Sequence, residues 1–116
     1  MFSFNDYVNK KSQNNDKNLS IIYGAGIVGR MTLEALNQKN IKVDFFCDGS
    51  PEKQKLKVKD VEVICPESLD KLDKETDIFV TIQYFNSIIP ILEKKGFKNI
   101  YRVTDLLSDT NLEKSY

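Results

Sequence analysis

Apolar residues gather in short runs along this chain, and more polar stretches with helical periodicity separate the runs. Leu19 to Tyr23, carrying Ile21 and Ile22, predicts a short buried strand. Ile41 to Cys47 predicts a second, with the strand formers Val43, Phe45 and Phe46. Val58 to Ile64 predicts a third strand, Asp77 to Ile82 a fourth and Asn99 to Val103 a fifth. Their near-continuous apolar character points to burial on both faces, as in a parallel sheet.

Helical spacing fills the gaps. Val28, Met31, Ala35 and Leu36 predict a helix from about Ile27 to Lys39 with those side chains toward the sheet, and Asn40 suits a left-handed C-terminal cap. Pro66 fits the first turn of a helix whose inner side is Leu69 and Leu72, and Glu67 complements its dipole. With Ser87 as N-cap, Pro90 is the third residue of a further helix, where its missing N–H costs little. Ile88, Ile91 and Leu92 form its predicted buried side, and Gly96 ends it.

Strands alternating with helices define an α/β domain, a three-layer, Rossmann-like parallel sheet of about five strands in the order 3-2-1-4-5. The domain is predicted over residues 19–107. Residues 1–18 form a polar lead-in, with Phe2, Phe4, Tyr7 and Val8 on a short helix capped by Asn5 or Asp6 and resting on the sheet edge. Lys10 to Asn18 reads as a solvated connector, and residues 108–116 as a tail.

The first strand runs directly into Gly24-Ala25-Gly26-Ile27-Val28-Gly29. In a strand–turn–helix context, the first glycine takes the tight turn, the second lets a phosphate approach the backbone and the third lets helix and strand pack closely. The N–H groups at the helix start favour an anion. Asp48 ends the next strand about 20 residues on, the spacing at which an acid meets a ribose hydroxyl. Ligands of such sheets bind beyond the carboxyl ends of the strands, where strand order reverses. The candidate site is therefore Gly24, Ala25, Gly26, Ile27, Val28 and Gly29 for phosphate, with Asp48, Gly49 and Gln83, next to Tyr84, for sugar and base. Each has a plainer alternative: packing for the glycines, turn chemistry for Asp48, an ordinary loop position for Gln83.

Composition narrows the functions. The 116 residues make one domain, and 41% hydrophobic content is enough for a core. Seventeen basic and seventeen acidic residues cancel, so no basic excess points to nucleic acid. Neither a membrane-spanning run nor an export signal is evident, so a cytoplasmic protein with reduced cysteines is expected. Histidine is absent, which removes the commonest metal ligand and proton-transfer group; no metal site is expected. Cys47 reads as a small core residue and Cys65 as a strand-end spacer. The lysines from Lys53 to Lys59 form a solvated face that is also able to attract a phosphate-bearing ligand or an acidic partner. No GxxxxGK stretch followed by Ser or Thr makes a P-loop, and no acid stands directly before the glycine turn, so S-adenosylmethionine is the less favoured ligand.

The stretches Ile22 to Arg30, Val43 to Asp48, Val61 to Leu69 and Lys95 to Tyr101 resemble the small Rossmann domains of bacterial surface-polysaccharide enzymes. Such domains occur at the N-terminus of sugar-nucleotide acetyltransferases, in nucleotide-sugar dehydratases and beside capsule transferases. The resemblance implies a cradle for a nucleotide-sugar or NAD(P), with chemistry carried by another domain. The expectation is a binding module rather than an enzyme, acting with a catalytic partner chain or as a homo-oligomer in capsule or lipooligosaccharide assembly. The alternatives are a small NAD(P)-dependent oxidoreductase or epimerase, and a non-binding remnant or interaction domain.

Overall fold

The computed structural model describes residues 7, 11, 18–81 and 85–103, with nothing said of the Phe85 side chain. Six strands form one sheet in the order β3-β4-β2-β1-β5-β6. They are β1 (Ser20–Tyr23), β2 (Phe45–Cys47), β3 (Lys57–Val58), β4 (Val61–Ile64), β5 (Asp77–Val80) and β6 (Asn99–Arg102). Every pairing is parallel except β3 with β4, which is antiparallel. Without the short β3, the remaining strands follow the expected 3-2-1-4-5 topology.

Side chains alternate across the central strands, and both faces are covered. Ile22, Phe46 and Phe79 share one buried cluster with Leu33 and Leu36 of helix α1 (Ile27–Gln38). Ile21, Cys47, Ile78 and Val80 share the other with Leu69 and with Leu92 of helix α3 (Phe85–Lys94). That is the three-layer arrangement, with the crossover from β1 to β2 on one face and those leading to β5 and β6 on the other. The switch of face falls between β1 and β5, where the sheet's order reverses.

Both long helices end as the sequence predicts, and by one mechanism. Ile41 N–H reaches the Leu36 carbonyl at 2.9 Å and Asn40 N–H that of Asn37 at 3.0 Å, with Asn40 at a φ of +62°. Phe97 N–H reaches Leu92 at 3.2 Å and Gly96 N–H reaches Glu93 at 2.9 Å, with Gly96 at +99°. These paired bonds are Schellman motifs, and buried Ile41 and Phe97 supply their hydrophobic closure.

Several predicted details change. The stretch Val58 to Ile64 is a hairpin, not one strand: Lys59 and Asp60 both take positive φ, at +49° and +69°. Two such residues give the primed turn whose twist matches a hairpin. The Lys59 ammonium also pairs with Glu34 of α1. The ladder of β2 begins only at Phe45, although Ile41 and Val43 are buried before it. Pro66–Lys71 is a 3-10 helix; it buries Leu69 fully and leaves Leu72 half-buried. Ser87 is not a cap, because α3 already begins at Phe85. Pro90 is therefore inside the helix, and four residues before it stands Asn86; both are exposed, so the carbonyl that loses its partner lies on the wet side. Ile91 is exposed as well, and the inner face of α3 is Ile88, Ile89 and Leu92. Val28 does not face the sheet, because the first turn of α1 overhangs the strand ends and the buried stripe is Gly29, Thr32, Leu33, Ala35 and Leu36.

Tyr7 is helical and fully buried. Its ring packs edge-on against Phe79 at 5.0 Å and Tyr101 at 5.2 Å, on the α1 side of the sheet. The expectations for Phe2, Phe4, Asn5, Asp6, Val8, Ile82, Tyr84 and residues 108–116 lie outside the described residues.

Candidate functional site

The glycine turn sits at the carboxyl end of β1, and each glycine has its own reason. Gly24 takes a φ of +113°, which a side chain would strain. Gly29 packs against the turn: a Cβ there would collide with the Gly24 carbonyl oxygen and come within 3.3 Å of the Phe46 ring. Gly26 has neither reason. Its φ is −96°, open to any residue, and the nearest atom to a Cβ built there is the Lys53 Nζ, 3.8 Å away. The protein itself does not require a glycine at that position.

Gly26 is the N-cap of α1, and it supplies no side-chain cap. No acidic side chain lies in the first turn. The helix thus presents its leading N–H groups beyond the sheet beside the exposed Ile27 and Val28. Neighbouring strands hold the turn. Gly24 N–H donates to the Cys47 carbonyl at 2.8 Å. From β5, Thr81 N–H donates to the Tyr23 carbonyl at 2.9 Å, and the Thr81 hydroxyl reaches the carbonyls of Tyr23 and Gly24 at 2.8 and 3.1 Å.

Asp48 stands at the end of β2, beside the turn. One carboxylate oxygen accepts Ala25 N–H at 2.9 Å and the other accepts Ser50 N–H at 2.9 Å. The Ala25 amide is thus satisfied internally. Gln54 Nε2 donates to the Asp48 carbonyl at 2.7 Å, anchoring the short helix α2 (Pro51–Gln54) to the same strand end. A Cβ on Gly49 would meet nothing within 4 Å, so the space over Gly49 itself is open. Gln83, the remaining candidate, lies outside the described residues.

Two residues of this neighbourhood were not legible in the sequence. Thr81 follows four fully buried strand residues, and that position, just past an apolar strand, was its only signal. Lys53 looked like one of several exposed lysines, yet its ammonium is 3.9 Å from the Asp48 carboxylate and above Gly26. On the other face, Tyr23 is half-buried; burial first, then the nearby Cys47 and Asp48, push its phenol up to about 12. Burial likewise pushes the Cys47 thiol up to about 12, so it is protonated near neutrality. The more exposed Cys65 has its sulfur 3.2 Å from the Ser68 hydroxyl.

Tyr7 and Lys11 have the Tyr-x-x-x-Lys spacing of a proton-transfer pair, but the structure places them away from this site. The Tyr7 hydroxyl donates to the Asp77 carboxylate at 3.0 Å, and the Lys11 ammonium pairs with the same oxygen at 3.2 Å. Ser20 and Asp77 begin β1 and β5, whereas the glycine turn follows the far end of β1, roughly 10 Å away by strand rise. Burial and the Asp77 charge raise the Tyr7 phenol far above its usual range, opposite to the activation a proton donor needs. The pair fastens the N-terminal segment to the sheet. Among the described residues no cluster of His, Cys, Asp and Glu is suited to a metal, and no helix is long and apolar enough to cross a membrane.

The fold and this turn place the chain among Rossmann-like α/β proteins. No protein-family model matches it, and no curated protein matches it. Solved structures do. One is UDP-D-quinovosamine 4-dehydrogenase from Vibrio fischeri, with a TM-score of 0.63 and 23% identity over 80% of this chain and 85% of that one. Another is RSP, a Rex-family repressor, with a TM-score of 0.59 and 24% identity over 96% of this chain. RSP in complex with β-NADH gives 0.61 and 22% over 97%. The chain spans 64% of the length of RSP.

Proposed function

We propose that this chain is a nucleotide-binding module whose glycine turn takes the diphosphate of NAD(P) or of a nucleotide-sugar. The observation that carries this reading is Gly26. Its backbone is unstrained and a Cβ there would meet only the end of the Lys53 side chain, at ordinary contact distance, so neither strain nor packing calls for the missing side chain. A phosphate placed there meets the leading N–H groups of α1 and its positive dipole end. The solved structures point the same way: one is named for action on a UDP-sugar and another was captured with β-NADH. Ile27 and Val28 offer an exposed apolar shelf beside the turn for a base or nicotinamide ring. In this reading the chemistry belongs to a separate catalytic chain or domain, and the setting is surface-polysaccharide assembly.

One observation favours the alternative of a scaffold domain: the Asp48 carboxylate already occupies the Ala25 amide, so the turn is partly self-satisfied. A thermal-shift panel of NAD, NADH, NADP, UDP-sugars and CDP-sugars separates the two. A ligand at ~100 times its dissociation constant stabilises by ~2.7 kcal/mol, a rise of several degrees. A flat panel for every compound would leave the scaffold reading standing.

A further inference from the structure

We infer that Lys53 is the cationic half of the diphosphate site: its ammonium leaves the Asp48 carboxylate and closes on the ligand's phosphates as they reach Gly26. This rests on the nucleotide-binding reading above and adds to it a side chain from outside the glycine turn. Residues Gly24 to Gly29 contain no Lys or Arg, so backbone groups alone would otherwise face the anion.

Three observations support the assignment. The first is position: the Lys53 Nζ is the nearest atom to a Cβ built on Gly26, at 3.8 Å, so it stands at the spot a phosphate approaching Gly26 would reach. The second is anchorage. Lys53 lies on α2, whose start is held by Ser50 N–H on the Asp48 carboxylate at 2.9 Å and whose end is held by Gln54 on the Asp48 carbonyl at 2.7 Å. The backbone beneath the side chain is thus fixed to the same strand end as the turn. The third is a weak present partnership. Lys53 is 3.9 Å from the nearest Asp48 oxygen, too far for a hydrogen bond, and its side chain is 45% exposed. Asp48 keeps two backbone N–H bonds if the lysine leaves. A diphosphate offers more charge and better-placed acceptors, and charge-assisted bonds to it are the stronger kind.

Other lysines are differently placed. Lys59 pairs with Glu34, Lys95 with Asp70 and Lys98 with Glu75. Lys55 and Lys57 are exposed farther along the segment. The ammonium also offsets the repulsion that Asp48 would otherwise exert on an incoming anion.

The test measures NADH by fluorescence and ADP and UDP-glucose by calorimetry, with adenosine as competitor, at low and physiological salt. Lys53→Gln is expected to weaken NADH and ADP about 10-fold and to flatten their salt dependence. Lys53→Arg and Lys55→Gln should bind both as the unmodified chain does, and adenosine, which carries no phosphate, should compete equally well in all variants. Unchanged NADH and ADP affinity in Lys53→Gln, or an equal loss for adenosine, would overturn the assignment while leaving the binding module intact. If the unmodified chain takes up neither NADH, ADP nor UDP-glucose, the binding reading itself fails and the role of Lys53 goes with it.

Discussion

The Thr81 hydroxyl lies 3.1 Å from the Gly24 carbonyl oxygen, the same oxygen that a Cβ on Gly29 would strike. One carbonyl therefore fixes two neighbours: β5 holds it from one side, and α1 approaches so closely that only glycine fits on the other. Thr81→Val removes the hydroxyl and keeps the shape. The expected result is a loss of about 1 kcal/mol in urea unfolding and weaker nucleotide binding, since the turn loses its brace.

Two glycine variants should separate structure from binding. Gly29→Ala drives a methyl into the Gly24 carbonyl and is expected to destabilise by ~1–3 kcal/mol. Gly26→Ala meets only the Lys53 ammonium, at ordinary contact distance, and should change stability by less than ~0.5 kcal/mol, while nucleotide affinity falls. Denaturant midpoints together with calorimetric titration read both. Equal destabilisation at the two positions would assign Gly26 to packing and remove the main support for a ligand cradle.

At the opposite end of the strands, Asp77 is fully buried against Tyr7 and Lys11. Asp77→Ala leaves the Lys11 charge without this carboxylate in a nearly dry setting, and the expected cost is ~3–5 kcal/mol. Tyr7→Phe removes the hydroxyl's contacts with Asp77 and Ser20 and keeps the ring contacts, for about 1–2 kcal/mol. Neither variant should alter nucleotide affinity at a temperature where the protein remains folded. A selective loss of binding in Tyr7→Phe would place that cluster in the site after all.

Alkaline titration has a defined sign. Cys47 and Tyr23 are acids whose values in the folded chain rise to about 12, above the ordinary 9.0 and 10.0. The folded state holds their protons more tightly, so their contribution is complete below about pH 9 and is lost as pH rises toward about 12. Urea midpoints should therefore fall progressively above pH ~9, and Cys47→Ala should delay the onset toward the Tyr23 range. Alkylation at mild pH should modify Cys65 first and reach Cys47 only in denaturant, because one thiol is buried and the other part-exposed.

Much of the scaffold was legible because its causes are local. Asn40 and Gly96 marked helix ends, and both adopt left-handed φ with the paired bonds that such ends need. Apolar runs located five strands, since residues buried on both faces of a parallel sheet leave a continuous signature. The hairpin at Lys59-Asp60 was hidden because neither residue is the glycine or asparagine that usually announces a primed turn. The true start of α3 was hidden because Pro90 by itself favours a first-turn position, whereas Asn86 and Pro90 share an exposed side where the missing bond costs less.

What the sequence by itself determined is the fold and the glycine turn: strand runs, helix stops and the strand–turn–helix order follow from each residue's own conformational and burial preferences. Only the tertiary structure decided which of those glycines the protein needs, that Asp48 turns inward to the Ala25 amide, and that Thr81 and Lys53 converge on the same turn. The physical reason is distance along the chain. These contacts join the ends of separate strands and helices, and the spacing between them exists only once the sheet has set its register.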